Sequence, residues 1–515
     1  ALPDQEGKES ATHQTQETMT TSTLKIMLWD KEVGRLFWDT RRGVSFFEYN
    51  PSFLRGRLDP FQLLASVKSA ASHRPIMGDR ETKIYRKLPP FLADSLPDAW
   101  GHQVFECWRI QSGLRPQEIT PLDILSFIGR RGMGALEFVP ESSGISSSDK
   151  LNMRALTELA QRIFLERENA SVAPEESLTM QSLIAVGTSA GGRQPKAIIA
   201  IDPETGEIRS GQVAGRQGLA YCILKFGDPE RSSAELEMAY HKMAKAAGIS
   251  MMACETLEVE GRKHFVTRRF DREEGRKLHM QTLAALSPDA DSYEQLLAVC
   301  RKMRLPESDQ EEVFRRMVFN ILANNTDDHN KNFSFLMDEK GHWRLAPAYD
   351  LTYIFNIGGF LPERMHCLMM RGKLQGQTIE DALALGKENG IKRAEGIIGE
   401  VAAAIRRFRD FAEECEVSPR WTGAVETTLL HHLTEWGLAE RRKATTIKTG
   451  ETLFENIRVE KTYKGNYHLL CKVEGRERKY VITSKKEEYA LIDKVGVDRL
   501  TDEQLRSLVE TFFLS

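Results

Sequence analysis

The stretch Ile321–Leu351 reads ILANNTDDHNKNFSFLMDEKGHWRLAPAYDL. Three of its side chains offer oxygen atoms: Asp327, Asn332 five positions later, and Asp350. The apolar residues on either side of Glu339–His342 predict two short strands joined by a tight turn. Such a hairpin would bring Asp350 back beside Asn332, so we expect the three side chains to form one site.

This set of side chains suits phosphoryl transfer. That reaction needs a carboxylate beside the attacking hydroxyl and oxygen ligands for Mg²⁺ around the nucleotide phosphates. Protein kinases place an Asp and an Asn at this spacing, with a metal-binding Asp downstream. Polar residues also gather at ordinary helix-to-strand loops as caps and turns, but the third oxygen donor favours a site. A metal-hydrolase site of Asp327, Asp328 and His329 is less favoured, because no second His-rich cluster accompanies it.

A second informative stretch is Ala185–Ile201, which reads AVGTSAGGRQPKAIIAI. Glycines such as Gly191 and Gly192 let backbone N–H groups approach phosphates closely, and Lys196 can add a point charge. The pattern GxxxxGK[ST] does not fit, so this is not a Walker loop. Taken alone, the stretch is more typical of a flexible hairpin loop, because glycine-rich loops are common.

A lysine and a glutamate follow at the spacing of a phosphate-binding pair. Residues 219–226 predict a half-buried strand that carries Lys225, and residues 234–247 predict a helix that carries Glu235 and Glu237. Kinases use a strand Lys and a helix Glu to hold the α- and β-phosphates. The competing interpretation is a solvated lysine, the more usual fate of a single Lys.

Composition limits the class of protein. The 515 residues allow about two to four domains with a large core. The formal net charge of −3 gives no bulk positive charge for binding nucleic acid. Seven dispersed cysteines without metal-ligand spacing indicate free thiols in a reducing compartment. No apolar run approaches membrane-spanning length and no signal-peptide core is present, so we expect a cytoplasmic protein without membrane contact.

Changes in composition along the chain predict an α+β protein. A strand-rich part precedes a largely helical part, with the carboxylates between them, as a two-lobed protein-kinase-like fold requires. The predicted segments are a disordered tail at 1–23, an N-terminal β-rich subdomain at 24–140, a Ser-rich linker at 141–152, an N-lobe-like part with the Gly-rich loop at 153–275, a helical catalytic C-lobe at 276–440, and a small appended α+β domain of unknown role at 441–515.

Six motifs, taken in order, resemble the HipA-type toxin kinases, which are bacterial Ser/Thr protein kinases paired with a HipB-like antitoxin. The resemblance covers about residues 24–436. Its markers are LPDAWG at Leu96–Gly101, IGRRGMGAL at Ile128–Leu136, SAGGRQPK at Ser189–Lys196, RRFDR at Arg268–Arg272, NTDDHNKNFSF at Asn325–Phe335 and PAYDL at Pro347–Leu351. Several motifs in the family's order are far more specific than any one alone.

The resemblance implies ATP and Mg²⁺ as cofactors and assigns a role to each site residue. Asp327 would be the catalytic carboxylate facing the substrate hydroxyl, and Asn332 and Asp350 would ligate Mg²⁺. Ser189 would be the autophosphorylated serine, whose added charge repels the ATP phosphates and switches the enzyme off. The ATP-binding set, including the Gly-rich stretch, would be Gly191, Gly192, Lys196, Lys225, Glu237, Arg268 and Phe270.

The function implied is that of an ATP-dependent Ser/Thr protein kinase acting as the toxin of a HipBA-like module. Its partners would be a HipB-like antitoxin and a protein substrate, an aminoacyl-tRNA synthetase in known family members, with DNA reached only through the antitoxin. The alternative is a catalytically silent homologue that binds an antitoxin and helps to repress an operon. The catalytic positions are all filled, which favours the kinase.

Overall fold

The structure is a computed structural model. It describes residues 21–111, 113–141, 151–166, 177–187, 194–212, 218–355, 365–438, 445–449, 452–462, 465–495, 497 and 500–514. Of the tail predicted to be disordered at 1–23, residues 1–20 lie outside the described ranges. Of the linker predicted at 141–152, residues 142–150 lie outside them. Ser189, Gly191 and Gly192 also lie outside the described residues.

An antiparallel sheet with the strand order β4-β3-β2-β1-β5 forms the N-terminal unit. Leu24, Ile26 and Leu28 alternate along β1 and are fully buried, as the two-residue period of a strand requires. Helix α4 packs on this sheet and starts at a capping box made by Thr120 and Asp123. The elements are β1 Thr23–Leu28, β2 Lys31–Asp39, β3 Val44–Tyr49, α1 Pro51–Leu54, β4 Ile76–Met77, α2 Pro90–Ala93, α3 Ala99–Gln111, α4 Pro121–Ile128 and β5 Leu136–Val139.

A second antiparallel sheet has the order β7-β6-β8-β10-β9. One of its faces shares a core with α3, α5 and α6, through residues such as Leu224 and Val266. Their neighbours Ile223 and Phe265 project to the opposite face and line a cleft. The elements are α5 Met153–Glu166, α6 Ser177–Gly187, β6 Lys196–Ile201, β7 Ile208–Ser210, β8 Ala220–Lys225, α7 Ser233–Ala246, β9 Cys254–Val259 and β10 Arg262–Arg268.

Residues 272–435 are largely helical and surround the largest buried core, which α7 also joins. A small sheet with the order β13-β14-β15 carries the hairpin predicted around Glu339–His342. No helix within the described ranges has the length and apolar character needed to cross a bilayer. The elements are β11 Arg272–Glu273, β12 Arg276–Lys277, β13 His279–Thr282, α8 Leu283–Leu286, α9 Tyr293–Lys302, α10 Glu307–Leu322, β14 Ser334–Met337, β15 Trp343–Leu345, α11 Ile379–Glu388, α12 Ala394–Arg406, α13 Phe408–Glu414 and α14 Pro419–Glu435.

The last part of the chain builds a small core of its own. Its sheet has the order β16-β17-β18-β19, and the apolar cluster beneath it draws its members from residues 447–513 alone. A capping box of Thr501 and Gln504 starts the last α-helix. The elements are β16 Thr445–Thr449, β17 Thr452–Lys461, β18 Tyr467–Val473, β19 Arg476–Ile482, α15 Glu487–Val495 and α16 Asp502–Val509.

Deletion of residues 441–515 should leave a folded and active protein. The cluster of buried residues in this segment includes none from the preceding part of the chain, so its removal exposes little of the larger cores. The measurement is cooperative thermal unfolding of the truncated chain beside the parent, together with nucleotide binding. A truncated chain that is insoluble, or that melts without cooperativity, would show that the segment covers the body of the protein.

Candidate functional site

A buried lysine joins two carboxylates at the centre of the cleft. Lys225 is the last residue of β8, and its Nζ donates hydrogen bonds to Oε1 of Glu237 on α7 and to Oδ1 of Asp350. The side chains of Lys225 and Glu237 are 8% and 5% exposed, whereas that of Asp350 is 33% exposed. Asp350 is therefore the member of the trio that a bound ligand reaches most easily.

Lys225 stabilises the charges of both carboxylates in this trio, although burial and Asp350 together still raise the pKa of Glu237. Burial alone favours the neutral form of Lys225, but Asp350 and Glu237 together raise the pKa of Lys225 above its ordinary value. Burial also opposes ionisation of Asp350, yet Lys225 and Lys196 hold the pKa of this carboxyl well below its usual range. Lys196 pairs with Lys225 across β6 and β8, and burial lowers the pKa of Lys196. Two cations thus face Asp350 at one wall of the cleft.

The loop before β14 places Asn332 and Asp327 side by side. The Nδ2 of Asn332 donates to the main-chain oxygen of Asp327 at 2.7 Å, which leaves the side-chain oxygen of Asn332 for another ligand. Asn332 and Asp350 both line the cleft. Asp327 is half-buried at the start of the same loop and is not among the described residues that line the cleft.

The backbone at Asp350 adopts a conformation that side chains rarely take. Its φ of 59° lies in the left-handed region, which non-glycine residues occupy at some energetic cost unless the surroundings hold them. The two preceding residues supply that support. The N–H of Ala348 donates to Ser250 at 2.8 Å, and the hydroxyl of Tyr349 donates to the main-chain oxygen of Lys331 at 2.6 Å. Such held strain is common at functional sites.

Apolar side chains form the other walls of the cleft. Phe270 lines it beside Tyr349, with ring centroids 5.3 Å apart, and Arg268 lines it from the end of β10. Apolar walls next to a charged centre suit a flat ring joined to an anionic group. Further apolar lining residues are Leu96, Met133, Ile223, Met251, Met252, Phe265, Met280, Ala348 and Leu351.

The RRFDR motif also carries a buried charge network that the sequence did not predict. Arg269 donates to both carboxylate oxygens of Asp271, at 2.8 and 2.7 Å. Although Asp271 is fully buried, Arg269 and Arg272 hold its pKa well below the usual range. The N–H of Gly134 donates to the same carboxylate at 2.7 Å. The motif therefore anchors the N-terminal unit beside the cleft.

Gly134 shows why glycine is needed at this junction. Its φ is +75°, and a Cβ built there would lie 3.0 Å from the main-chain nitrogen of Met280. A larger residue would need a strained backbone and would crowd β13, which should weaken the hydrogen bond to Asp271.

The geometry does not support a metal-hydrolase site at Asp327, Asp328 and His329. Asp328 is buried, and its oxygens accept from Tyr293 at 2.6 Å, from the main-chain N–H of Cys367 at 2.7 Å and from His366 at 3.0 Å. These partners give Asp328 a structural role in holding the loop. Among the described residues, no group of three His, Cys, Asp or Glu side chains could hold a metal ion.

Five residues of the N-terminal unit line the cleft, and sequence reasoning gave none of them a role. They come from the two segments on either side of α3 and α4, so this unit closes one side of the site. Only the presence of LPDAWG and IGRRGMGAL among the motifs could have pointed to them, since neither motif has a chemical signature. The residues are Asp94, Ser95, Leu96, Asp98 and Met133.

The oxygen donors of the cleft could hold a magnesium ion that is also bound to phosphate groups. Mg²⁺ prefers oxygen ligands and is usually held by one or two carboxylates together with substrate phosphates. The side-chain oxygen of Asn332 and the ionised carboxylate of Asp350 supply such ligands on one cleft.

Two family models match the chain. The HipA N-terminal domain matches residues 24–139 and the HipA-like C-terminal domain matches residues 188–408. Together the two matches span more than half of the sequence, and all six motifs lie within them. The chain belongs to the HipA family.

Similar proteins agree with membership of the HipA family. One relative, "Putative kinase Y4mE" of Sinorhizobium fredii, is 24% identical over 76% of this chain and 92% of its own length. Another, named "Putative kinase", from Haemophilus influenzae, is 27% identical over 36% of this chain and 60% of its own length. A solved complex of HipA, HipB and operator DNA from Shewanella oneidensis contains a chain with a TM-score of 0.57 at 17% identity, matched over 81% of this chain and all of that one. The last likeness is one of fold.

Proposed function

We propose that this HipA-family chain is an ATP-dependent Ser/Thr protein kinase with a two-lobed kinase-like arrangement, and that it acts as the toxin of a HipBA-like module. The observation that carries the proposal is the contact of Lys225 with both Glu237 and Asp350 in a cleft that Asn332 also lines. Kinases place a strand lysine, a helix glutamate and metal-binding Asp and Asn residues around the nucleotide phosphates in this way. The names of the two relatives support the same activity.

Each residue has a part in the proposed reaction. Lys225, held by Glu237, directs its charge at the α- and β-phosphates, and Lys196 adds a second cation nearby. Arg268 and Phe270 lie along the wall that accepts the adenine. Asp327 orients the substrate hydroxyl and accepts its proton as the γ-phosphoryl group is transferred.

The cofactor completes the charge balance. Asn332 and Asp350 would hold Mg²⁺, which would neutralise part of the negative charge of the phosphates. The low pKa of Asp350 keeps this ligand ionised at neutral pH. Two protein ligands alone should bind the metal weakly, so metal and nucleotide are expected to bind together.

The partners follow from the family. In the Shewanella complex the similar chain is assembled with HipB and operator DNA, which supports a HipB-like antitoxin as the partner of this chain and DNA contact through that antitoxin. The substrate is a protein with a Ser or Thr hydroxyl, for which an aminoacyl-tRNA synthetase is the candidate that the family suggests.

Two measurements test the function. The first is whether Mg-ATP raises Tm of the purified chain, as ligand linkage requires. The second is incubation with γ-labelled ATP and a cell lysate, followed by mapping of the labelled protein. A rise in Tm without labelled protein or labelled enzyme would favour the catalytically silent, antitoxin-binding homologue. No rise and no label would refute both nucleotide binding and transfer.

Ser189 is proposed as the site of self-inactivation. A phosphate adds roughly −1.5 to −2 charge at neutral pH, and next to the ATP phosphates that charge should lower nucleotide affinity. Ser189→Asp should therefore bind ATP more weakly than the parent, whereas Ser189→Ala should bind it normally and stay active for longer. The measurement is ATP titration of both variants beside mass mapping of the parent after incubation with Mg-ATP. Stoichiometric phosphate on another residue, with normal ATP binding by Ser189→Asp, would contradict this assignment.

A further inference from the structure

An ion pair across the cleft joins the N-terminal unit to the loop that carries Asp327 and Asn332. The Nζ of Lys331 lies 2.6 Å from Oδ1 of Asp98. Both residues line the cleft, and their side chains are 31% and 23% exposed. Lys331 directly precedes Asn332, whereas Asp98 lies 233 positions earlier in the chain. The pair is thus a long-range contact at the edge of the site where the phosphates are proposed to bind.

The surroundings fix both partners of this ion pair. The main-chain oxygen of Lys331 accepts a hydrogen bond from Tyr349 at 2.6 Å, so the backbone of the loop is held. The main-chain oxygen of Asp98 accepts from the N–H of His102 at 2.8 Å in the first turn of α3. Four residues before Asp98, Asp94 accepts from the main-chain N–H and the hydroxyl of Thr282, at 2.9 and 2.6 Å. Asp98 is therefore a fixed point toward which the long Lys331 side chain extends.

The charges in the cleft indicate a role for the ion pair of Lys331 and Asp98 in the proposed reaction. Lys225 already serves two carboxylates, Glu237 and Asp350. Lys331 is a further cation in the cleft beside Asn332 and Asp350, and its ammonium is paired with Asp98. Phosphoryl transfer is accelerated mainly by positive groups held in place before charge develops on the transferred oxygens. A lysine on a flexible four-carbon stem needs an anchor to be held in this way.

We propose that Asp98 is a positioning residue, which fixes the Lys331 ammonium at the cleft so that it meets the charge of the transferred phosphoryl group. This inference rests on the kinase function proposed above. According to this proposal, the N-terminal unit contributes to the rate of phosphate transfer, in addition to packing against the catalytic part. A purely structural ion pair would make a different prediction, because its loss would lower Tm without a selective effect on the rate of the chemical step.

Asp98→Asn is the variant that separates these cases. Asn and Asp are equally good residues immediately before a helix, so the start of α3 is preserved while the charge is removed. With Lys331 no longer anchored, kcat for phosphate transfer should fall about 10- to 100-fold, the scale of effect that follows a small misplacement. KM for ATP should stay the same or fall, because a negative charge has left the cleft. Asp98→Glu should recover part of kcat.

Controls make the result specific. Glu388→Gln removes a carboxylate from an exposed ion pair with Arg371 and should leave kcat, KM and Tm unchanged. Lys331→Gln should lower kcat at least as much as Asp98→Asn, and the double variant should lower it no further, since both changes act through one ammonium.

Two results for kcat would overturn the inference while the parent chain transfers phosphate. One is a kcat of Asp98→Asn close to that of the parent, whether or not KM for ATP rises. The other is a raised kcat, which would make the pair a restraint. A drop in Tm that Asp98→Glu reverses without any recovery of kcat would also count against it. If the parent chain itself transfers no phosphate, the proposed kinase function fails first, and the role of Asp98 fails with it.

Discussion

Asp327→Asn is expected to abolish phosphate transfer and to leave ATP binding close to that of the parent. The carboxylate is proposed to orient the substrate hydroxyl and to take its proton, a contribution of about 10²- to 10⁴-fold in rate. Asp327 is half-buried and does not line the described cleft, so its side chain should matter little for the nucleotide. The measurement is kcat for autophosphorylation together with the dissociation constant for Mg-ATP.

Two neighbouring residues serve as controls for Asp327→Asn. Glu339→Gln changes an exposed residue in the turn between β14 and β15 and should leave kcat, ATP binding and Tm unchanged. Asp328→Asn alters the acceptor of Tyr293 and Cys367, so it should lower Tm, which Asp327→Asn should not. Autophosphorylation by Asp327→Asn at the rate of the parent would remove Asp327 from its proposed role.

Lys225→Met should lose both ATP binding and stability. The substitution leaves Glu237 and Asp350 together without the ammonium that both accept from. Breaking a buried ion pair by removing one partner costs about 3–5 kcal/mol, because an uncompensated charge remains. Loss of the lysine should also let the pKa of Asp350 rise toward its ordinary value, since Lys225 is its nearest cation. The measurements are Tm and Mg-ATP titration.

A double variant separates the structural from the functional share of Lys225. In Lys225→Met with Glu237→Gln, the buried carboxylate is neutralised, and Asp350 is one-third exposed and so can be hydrated. Much of the lost stability should return, while ATP binding should stay weak. If the double variant instead recovers ATP binding along with Tm, Lys225 has a structural role only.

Local pattern predicted the elements that hold the site. The hairpin around Glu339–His342 forms as β14 and β15, and Lys225 and Glu237 lie on the strand and helix expected from their spacing. These segments have clear periodicity and turn chemistry, which sequence alone reveals. Helix α6 was missed for the opposite reason. This helix contains no charged residue and is rich in apolar ones, so the contrast between its faces is too weak for its sequence to reveal the helical period.

Long-range contacts could not be predicted from any local pattern. The ion pair of Asp98 with Lys331 and the hydrogen bond of Gly134 to Asp271 join residues 233 and 137 positions apart. Neither partner is unusual in its own segment, and an aspartate before a helix is fully explained as a cap. The contribution of the N-terminal unit to the cleft therefore depends on how the units pack, which composition and spacing do not specify.

The most direct test of the account is phosphate transfer from γ-labelled ATP by the purified parent chain and by Asp327→Asn, side by side with Mg²⁺ present. If the chain is a kinase with Asp327 as its catalytic carboxylate, a Ser or Thr of the parent should carry the label and the variant should carry almost none. Mg-ATP should raise Tm of both proteins. This interpretation would be contradicted by an unlabelled parent whose Tm does not respond to Mg-ATP, or by equal labelling of the two proteins.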